Sequence, residues 1–183
     1  MIAAVTGHRP TKTGGYSKAA RDKLIDFAIQ TLQEHLPDYI VTGMALGWDQ
    51  AIAQACVSLS IPFEAAIPFR GQESIWPYDS QEHYNHLLDC AQKVTVVSEG
   101  TFTAQKMQIR NEYMVHQAAS QPGGKLLTLW DGSPGGTKNC IQYAVGGRQY
   151  RPAKRWPEGI KYPIQVIYLW HKWLGFQPQE QGV

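Results

Sequence analysis

The stretch Tyr39-Ile-Val-Thr-Gly-Met-Ala-Leu-Gly-Trp-Asp-Gln-Ala-Ile-Ala-Gln-Ala55 decides the fold class. Its first four residues read as a short buried strand. The chain breaks at Gly43, crosses a loop of small residues to Gly47, and restarts as a helix near Asp49, which stands where a cap is needed. A strand that empties through glycines onto a helix N-terminus leaves N–H groups without acceptors. The positive end of the helix dipole points the same way, so the turn offers an anion a site. Val5-Thr-Gly-His-Arg-Pro10 and Asp131-Gly-Ser-Pro-Gly-Gly-Thr137 have the same design. The expectation is that all three glycine turns face one nucleotide-like ligand.

Working outward, the same strand–turn–helix unit recurs. Strands are expected at 2–6, 39–42, 63–67, 93–98, 125–130 and 164–169. The first helix opens at Ser17, turns Leu24, Phe27, Ala28 and Leu32 inward, and stops before Pro37. Others are expected at 49–59, 80–91, 103–119 and 137–145. Short apolar strands joined by helices imply right-handed crossovers and a mostly parallel sheet covered on both faces, the α/β class. The 183 residues fit a single domain. Within it we expect a core at 1–147, a basic loop at 148–163, and a strand with an aromatic tail at 164–183. That tail reads equally as a subunit contact or as the cover of an edge strand.

Composition narrows the function. A net charge of +2 argues against a protein whose whole surface binds nucleic acid. Positive charge is local: residues 146–163 carry five basic side chains against one acid. A solvated loop is the first reading of that segment, with nucleic-acid contact or a lid over a polyanion behind it. Cys56, Cys90 and Cys140 are distant in sequence and form no CxxC pair, so neither a disulfide framework nor a zinc site is expected. His83 and His86 share a helix face without a third ligand, and no metal is expected there. No run of residues reads as a membrane span or a signal peptide, which points to a cytoplasmic protein that does not engage membranes.

Ligands of an open parallel sheet bind at the carboxyl ends of its strands. The chain lacks both the P-loop pattern and G-x-G-x-x-G, so neither an ATPase nor the usual dinucleotide site is expected. Arg9 can fork onto a phosphate, while His8 reads as polar lining. Arg110 interrupts the apolar Met107–Met114 helix face, where a charge needs an anionic partner. Trp48 and Trp76 could each stack on a base or pack on the sheet edge.

Several of these motifs form an ordered set. Thr6-Gly-His-Arg-Pro10 and Gly43-Met-Ala-Leu-Gly-Trp-Asp-Gln50 come first. Pro68-Phe69 with Gln72, Glu73 and Trp76, then Arg110-Asn111 with Met114, then Gly135-Gly-Thr137 with Asn139, follow. The set resembles the YpsA-like branch of the SLOG superfamily over roughly residues 1–145. The resemblance implies a Rossmann-like, three-layer αβα sandwich and a homo-oligomer. It also implies relatives that include DprA, the LOG enzymes that release bases from nucleoside monophosphates, and proposed sensors of nucleotide derivatives.

The resemblance also exposes a departure. LOG-like enzymes pair an arginine, matched here by Arg110, with a glutamate one turn beyond the glycine–threonine loop. Here Lys138, Asn139 and Cys140 follow Thr137, with no carboxylate. Glycosidic cleavage needs positive charge on the ribose stabilised and water activated, and an amide does neither well. Asp49, Glu73 and Glu112 are the acids that could substitute, though Asp49 reads as a cap.

The expectation is therefore a protein that binds a phosphorylated nucleoside, such as an ADP-ribose-like or cyclic nucleotide signal. It would sense or sequester that signal, as in phage–host conflict, without turnover and without a cofactor. An N-glycosidase using Arg110 and Asp49 is the second reading, and a DprA-like DNA-binding accessory the third. The expected ligand-binding residues are Thr6, Gly7, His8 and Arg9 from the first turn, and Gly43, Met44, Gly47 and Asp49 from the second. Gln72 and Trp76 come from the third loop, and Arg110 and Asn111 from the long helix. Gly135, Gly136, Thr137 and Asn139 come from the last turn.

Overall fold

The computed structural model describes residues 1–147 and 160–178. Most of the basic loop, 148–159, and the last five residues of the tail lie outside the described residues.

Six strands form one sheet: β1 (Ile2–Gly7), β2 (Tyr39–Thr42), β3 (Phe63–Ile67), β4 (Lys93–Val96), β5 (Lys125–Leu129) and β6 (Gln165–Tyr168). Their order is β4-β3-β2-β1-β5-β6 and every pairing is parallel. The helices are α1 (Lys18–His35), α2 (Trp48–Leu59), α3 (Tyr78–Cys90), α4 (Ala104–Ala119), α5 (Gly136–Val145) and the short α6 (Trp170–Leu174). This is the Rossmann-like sandwich expected above.

Side chains alternate across a strand, so each strand feeds two cores. Ala3 and Val5 of β1 join Leu24 and Phe27 of α1 and Ile52 and Cys56 of α2 on one face. Ala4 joins Met114 and Ala118 of α4 and Cys140 and Ile141 of α5 on the other. Cys56 and Cys140 are buried and unpaired. Burial on both faces explains why the central strands read as continuous apolar runs rather than as alternating ones.

Local chemistry sets most element ends. The Ser17 hydroxyl accepts the Ala20 N–H at 3.1 Å and caps α1. Leu36, in the left-handed region at φ 48°, closes that helix before Pro37. The structure corrects the start of α2: Gly47 is the cap and Asp49 lies inside the first turn. At the C-terminal end, Trp173 is buried against Phe27, ring centroids 5.4 Å apart, and Phe176 packs on both rings. The aromatic tail thus covers the α1 face of the core.

Topology positions the site. From β1 the chain lays down β2, β3 and β4 in one direction, then crosses back to place β5 and β6 on the other side of β1. The order reverses between β1 and β5. There the loops beyond the strands diverge and leave a crevice at the carboxyl edge.

Candidate functional site

A cleft of about 530 Å³ opens at this reversal, a volume suited to a small-molecule ligand. The β1 loop supplies Thr6, His8, Arg9 and Lys12, and the β5–α5 turn supplies Ser133 to Thr137 with Asn139. From α4 and the loop before it come Phe102, Ala104, Met107, Gln108, Arg110 and Asn111. Arg9, Lys12 and Arg110 are cationic, and no lining residue carries a carboxylate.

Arg110 is the most deeply set of these three cations, 6% exposed. Its Nη1 donates to the Gly43 carbonyl at 2.6 Å and its Nε to Asn111 Oδ1 at 3.2 Å. Asn111 Nδ2 in turn donates to the Gly136 carbonyl at 3.4 Å, linking α4 to the start of α5. A guanidinium carries five N–H donors in a rigid fork. The two fixed bonds therefore aim the group while leaving donors for a ligand.

Behind Arg110 sits Asp49, buried, accepting the Ala45 N–H at 3.3 Å. Burial pushes its carboxyl up to about 6, against the pull of Arg110, the Ala45 N–H and Arg9. A folded-state value above the ordinary 3.8 means that the folded protein holds this proton more firmly than the unfolded chain. The associated stability is complete below about pH 4 and is lost as pH rises through about 6, a difference of about 3 kcal/mol. Urea unfolding across pH 4–8 is expected to show this fall, and Asp49→Asn to remove it. An identical pH profile in the variant would mean that the group does not titrate in this window.

The turn into α5 has the geometry of an anion site. Gly135 stands at φ 146°, a conformation open to glycine, and caps the helix. Asn139 N–H bonds back to the Gly135 carbonyl at 3.0 Å. The N–H groups of Gly136 and Thr137 precede that first intrahelical bond and have no acceptor within the helix. Neither Gly135 nor Gly136 has an atom within 4 Å of where a Cβ would stand, so the approach is open.

Beside the cleft lies a network about Asp131, which is itself outside the lining residues. Lys12 Nζ donates to Asp131 Oδ2 at 2.6 Å and to Ser133 Oγ at 2.7 Å. The Ser133 N–H donates to Asp131 Oδ1 at 2.9 Å. Burial would raise the Asp131 carboxyl, but hydrogen bonds from Lys12, Ser133 and His8 outweigh it and hold the group below the usual carboxylate range. His8 Nε2 lies 2.7 Å from Asp131 Oδ1 and 2.9 Å from the Asp131 backbone nitrogen. A ring nitrogen donates to the first or accepts from the second, not both. Burial pulls the imidazole below its ordinary value, while Asp131 pulls it up.

The structure corrects the expectation that three glycine turns converge. Gly7 is small because Trp48 lies against it: a Cβ there would stand 2.5 Å from Trp48 Cδ1. The next N–H, of His8, donates to the Leu129 carbonyl at 3.0 Å. The first turn therefore lines the cleft with the side chains of Thr6, His8 and Arg9 rather than with glycine amides.

The second turn is spoken for internally. A Cβ on Gly43 would meet Arg110 Nη1 at 2.2 Å, and the Trp48 N–H at the head of α2 donates to the His8 carbonyl at 3.2 Å. The Asp49 carboxylate occupies the first turn of α2 as a built-in anion. Gly47, at φ 95°, lets the two loops touch, since a Cβ there would stand 2.4 Å from the His8 carbonyl. Met44 is fully buried. Of this turn Ala45 alone reaches the cleft, so Gly43, Met44, Gly47 and Asp49 support it from behind.

Gln72 and Trp76 also lie outside the cleft. Gln72 Nε2 donates to Tyr84 OH at 3.1 Å, and the Trp76 ring stands edge-on to Tyr84 with centroids 5.4 Å apart. Both line a neighbouring compartment. Trp48 is fully buried, its Nε1 donating to the Leu127 carbonyl at 3.3 Å, and packs rather than stacks on a ligand. Asp49, Glu73 and Glu112 all stand outside the cleft lining. Among the described residues no group of three or more His, Cys, Asp or Glu is arranged to hold a metal, and no helix is long and apolar enough to cross a membrane.

The sequence reading overlooked Lys12, Phe102, Gln108 and Ser133. Gln108 had a signal, because residues 104, 108 and 111 share one helix face. Lys12 had none, since its placement depends on contact with Asp131 across the sheet edge.

Comparison with known proteins follows the same outline. The model of the YspA SLOG family matches residues 3–146. The SPbeta prophage-derived protein YoqJ of Bacillus subtilis is 32% identical over 141 residues, covering 68% of this chain and 79% of its own. A UPF0398 protein of Bacillus cereus is 24% identical over 160 residues, 78% of this chain and 82% of its own. Among solved structures, DNA processing protein A (DprA) from Streptococcus pneumoniae superposes with a TM-score of 0.51 at 18% identity over 76% of this chain. This chain spans 45% of that DprA chain, and the likeness is one of fold.

Proposed function

The chain belongs to the YspA SLOG family, and on that premise we propose that its cleft binds a phosphorylated nucleoside and returns it unchanged, as a sensor or a sequestering protein. The observation that carries this reading is a cleft lined by three cationic side chains, of which Arg110 and Lys12 are held by hydrogen bonds, with an open helix N-terminus and no lining carboxylate. Phosphate sits against the Gly136 and Thr137 amides, with the Arg9 and Arg110 guanidiniums neutralising its charge.

Two further groups support a ligand with hydroxyls. Asn139 Oδ1 and Gln108 Nε2 are buried without partners, although both side chains line the cleft. An unpaired buried polar atom is costly, and an amide turned toward a sugar hydroxyl regains the missing bond. The lack of a lining carboxylate weighs against glycosidic cleavage. It leaves an oxocarbenium-like charge without a counterion in the cleft lining.

The test incubates the purified protein with AMP, NAD, ADP-ribose and cyclic nucleotides, reading thermal shift and the products by mass spectrometry. A stabilised protein that returns its ligand intact is the expected result. Free adenine or nicotinamide would establish the N-glycosidase reading instead. Stabilisation by none of them would remove the nucleotide assignment.

A further inference from the structure

The cleft continues past Arg9. A second compartment of about 340 Å³ shares Arg9, Phe102 and Met107 with it and runs under the loop that joins β3 to α3. The two spaces differ in chemistry. The first presents cations and a helix terminus, whereas the second, although Arg9 and Arg70 stand at its edge, adds the apolar walls of Phe69, Ile75, Trp76 and Phe102.

Two of these walls are unusually bare. Phe102 is 65% exposed and Ile75 is 90% exposed. The other walls are braced from behind. The Phe69 ring is buried and meets Phe102 edge-on at 6.2 Å, and Trp76 leans on the fully buried Tyr84. Gln72, Ser74 and Thr101 add polar edges to this apolar space. Such a combination suits a flat heteroaromatic ring, whose faces want apolar or aromatic cover and whose edge wants hydrogen bonds.

We propose that this compartment takes the base of the nucleotide whose phosphate lies at the head of α5, with Phe102 stacking on it. The inference rests on the nucleotide reading of the cleft and deepens it. The ligand then lies along the carboxyl edge of the sheet, with phosphate beside β5 and base beside β3. Arg9 stands where the two spaces join, between the phosphate and the base. Phe102 becomes a specificity-determining residue that favours a nucleoside phosphate over a bare sugar phosphate.

Two kinds of probe separate this proposal from the reading beneath it: ribose 5-phosphate, which fills the cleft alone, and the four nucleoside 5′-monophosphates, which would fill both spaces. Isothermal titration is expected to show the best nucleotide binding about ten-fold tighter than ribose 5-phosphate, as one stacked base provides. Phe102→Ala is expected to erase that advantage and Phe102→Trp to preserve it, whereas Ile75→Ala, at a residue that lines the second compartment and not the first, is expected to weaken the nucleotide and leave ribose 5-phosphate unchanged. Equal affinity for ribose 5-phosphate and every nucleotide would overturn the proposal and leave the phosphate site standing. So would a Phe102→Ala variant that loses both kinds of probe equally. If no probe binds, the nucleotide reading fails and this inference fails with it.

Discussion

Arg110→Gln is expected to weaken nucleotide binding by about 30-fold or more, since truncating one partner of a buried charge pair costs about 2–5 kcal/mol. Arg110 is the cation in the cleft least able to be replaced. Arg9 and Lys12 approach from an exposed loop, where water screens them. Arg110 is held by the Gly43 carbonyl and Asn111 in a setting that excludes water. Glutamine preserves a donor for those neighbours and removes the charge.

The same change leaves Asp49 buried without its nearest cation, so the variant is also expected to lose about 1–3 kcal/mol of stability. The double variant Asp49→Asn/Arg110→Gln separates the two effects. It is expected to recover stability in urea unfolding and to remain deficient in calorimetric binding. A double variant that regains binding would show that Arg110 acts by holding the loop after β2 rather than by meeting the ligand.

The second large effect lies away from any ligand. Gly7→Ala is expected to destabilise the protein by about 3 kcal/mol, the upper end of overpacking costs, lowering Tm by roughly 6–12 °C for a chain of this size. The added methyl would stand 2.5–2.7 Å from three Trp48 atoms. Trp48 cannot retreat, because it is fully buried, packs on Phe27 with centroids 5.6 Å apart, and donates to Leu127. Gly136→Ala is the control. Its methyl meets nothing within 4 Å, so stability is expected to change by less than about 0.5 kcal/mol. Equal melting temperatures for the two variants would contradict the packing account of Gly7.

The contrast between these glycines shows where sequence reading reached its limit. Gly7, Gly43 and Gly136 all follow a strand and precede a helix or turn, and each looks like an anion turn. Yet Gly7 makes room for an indole and Gly43 for a guanidinium, and Gly136 alone stands at an open helix terminus. Glycine marks close approach, and its identity is the same whether a tryptophan, an arginine or a phosphate approaches. Asp49 was similarly ambiguous. A carboxylate near a helix start reads as a cap, and only the position of Gly47 shows that it is an internal counter-charge.

The sequence by itself determined the α/β class, the strand–helix alternation and the family, and it singled out Arg9, Arg110 and the 135–139 turn, which line one cleft. These are local or nearly local properties: hydrophobic periodicity reports burial within one element, and a charge on an apolar helix face reports itself. Tertiary structure alone decided which turns meet. His8 reaches Asp131 across 123 residues, and Arg110 reaches Gly43 across 67. Those contacts follow from placing β5 beside β1 and sending β2 to the other side. No local pattern encodes that order, because the four central strands, β1, β2, β3 and β5, are largely buried on both faces and present much the same apolar run to either neighbour.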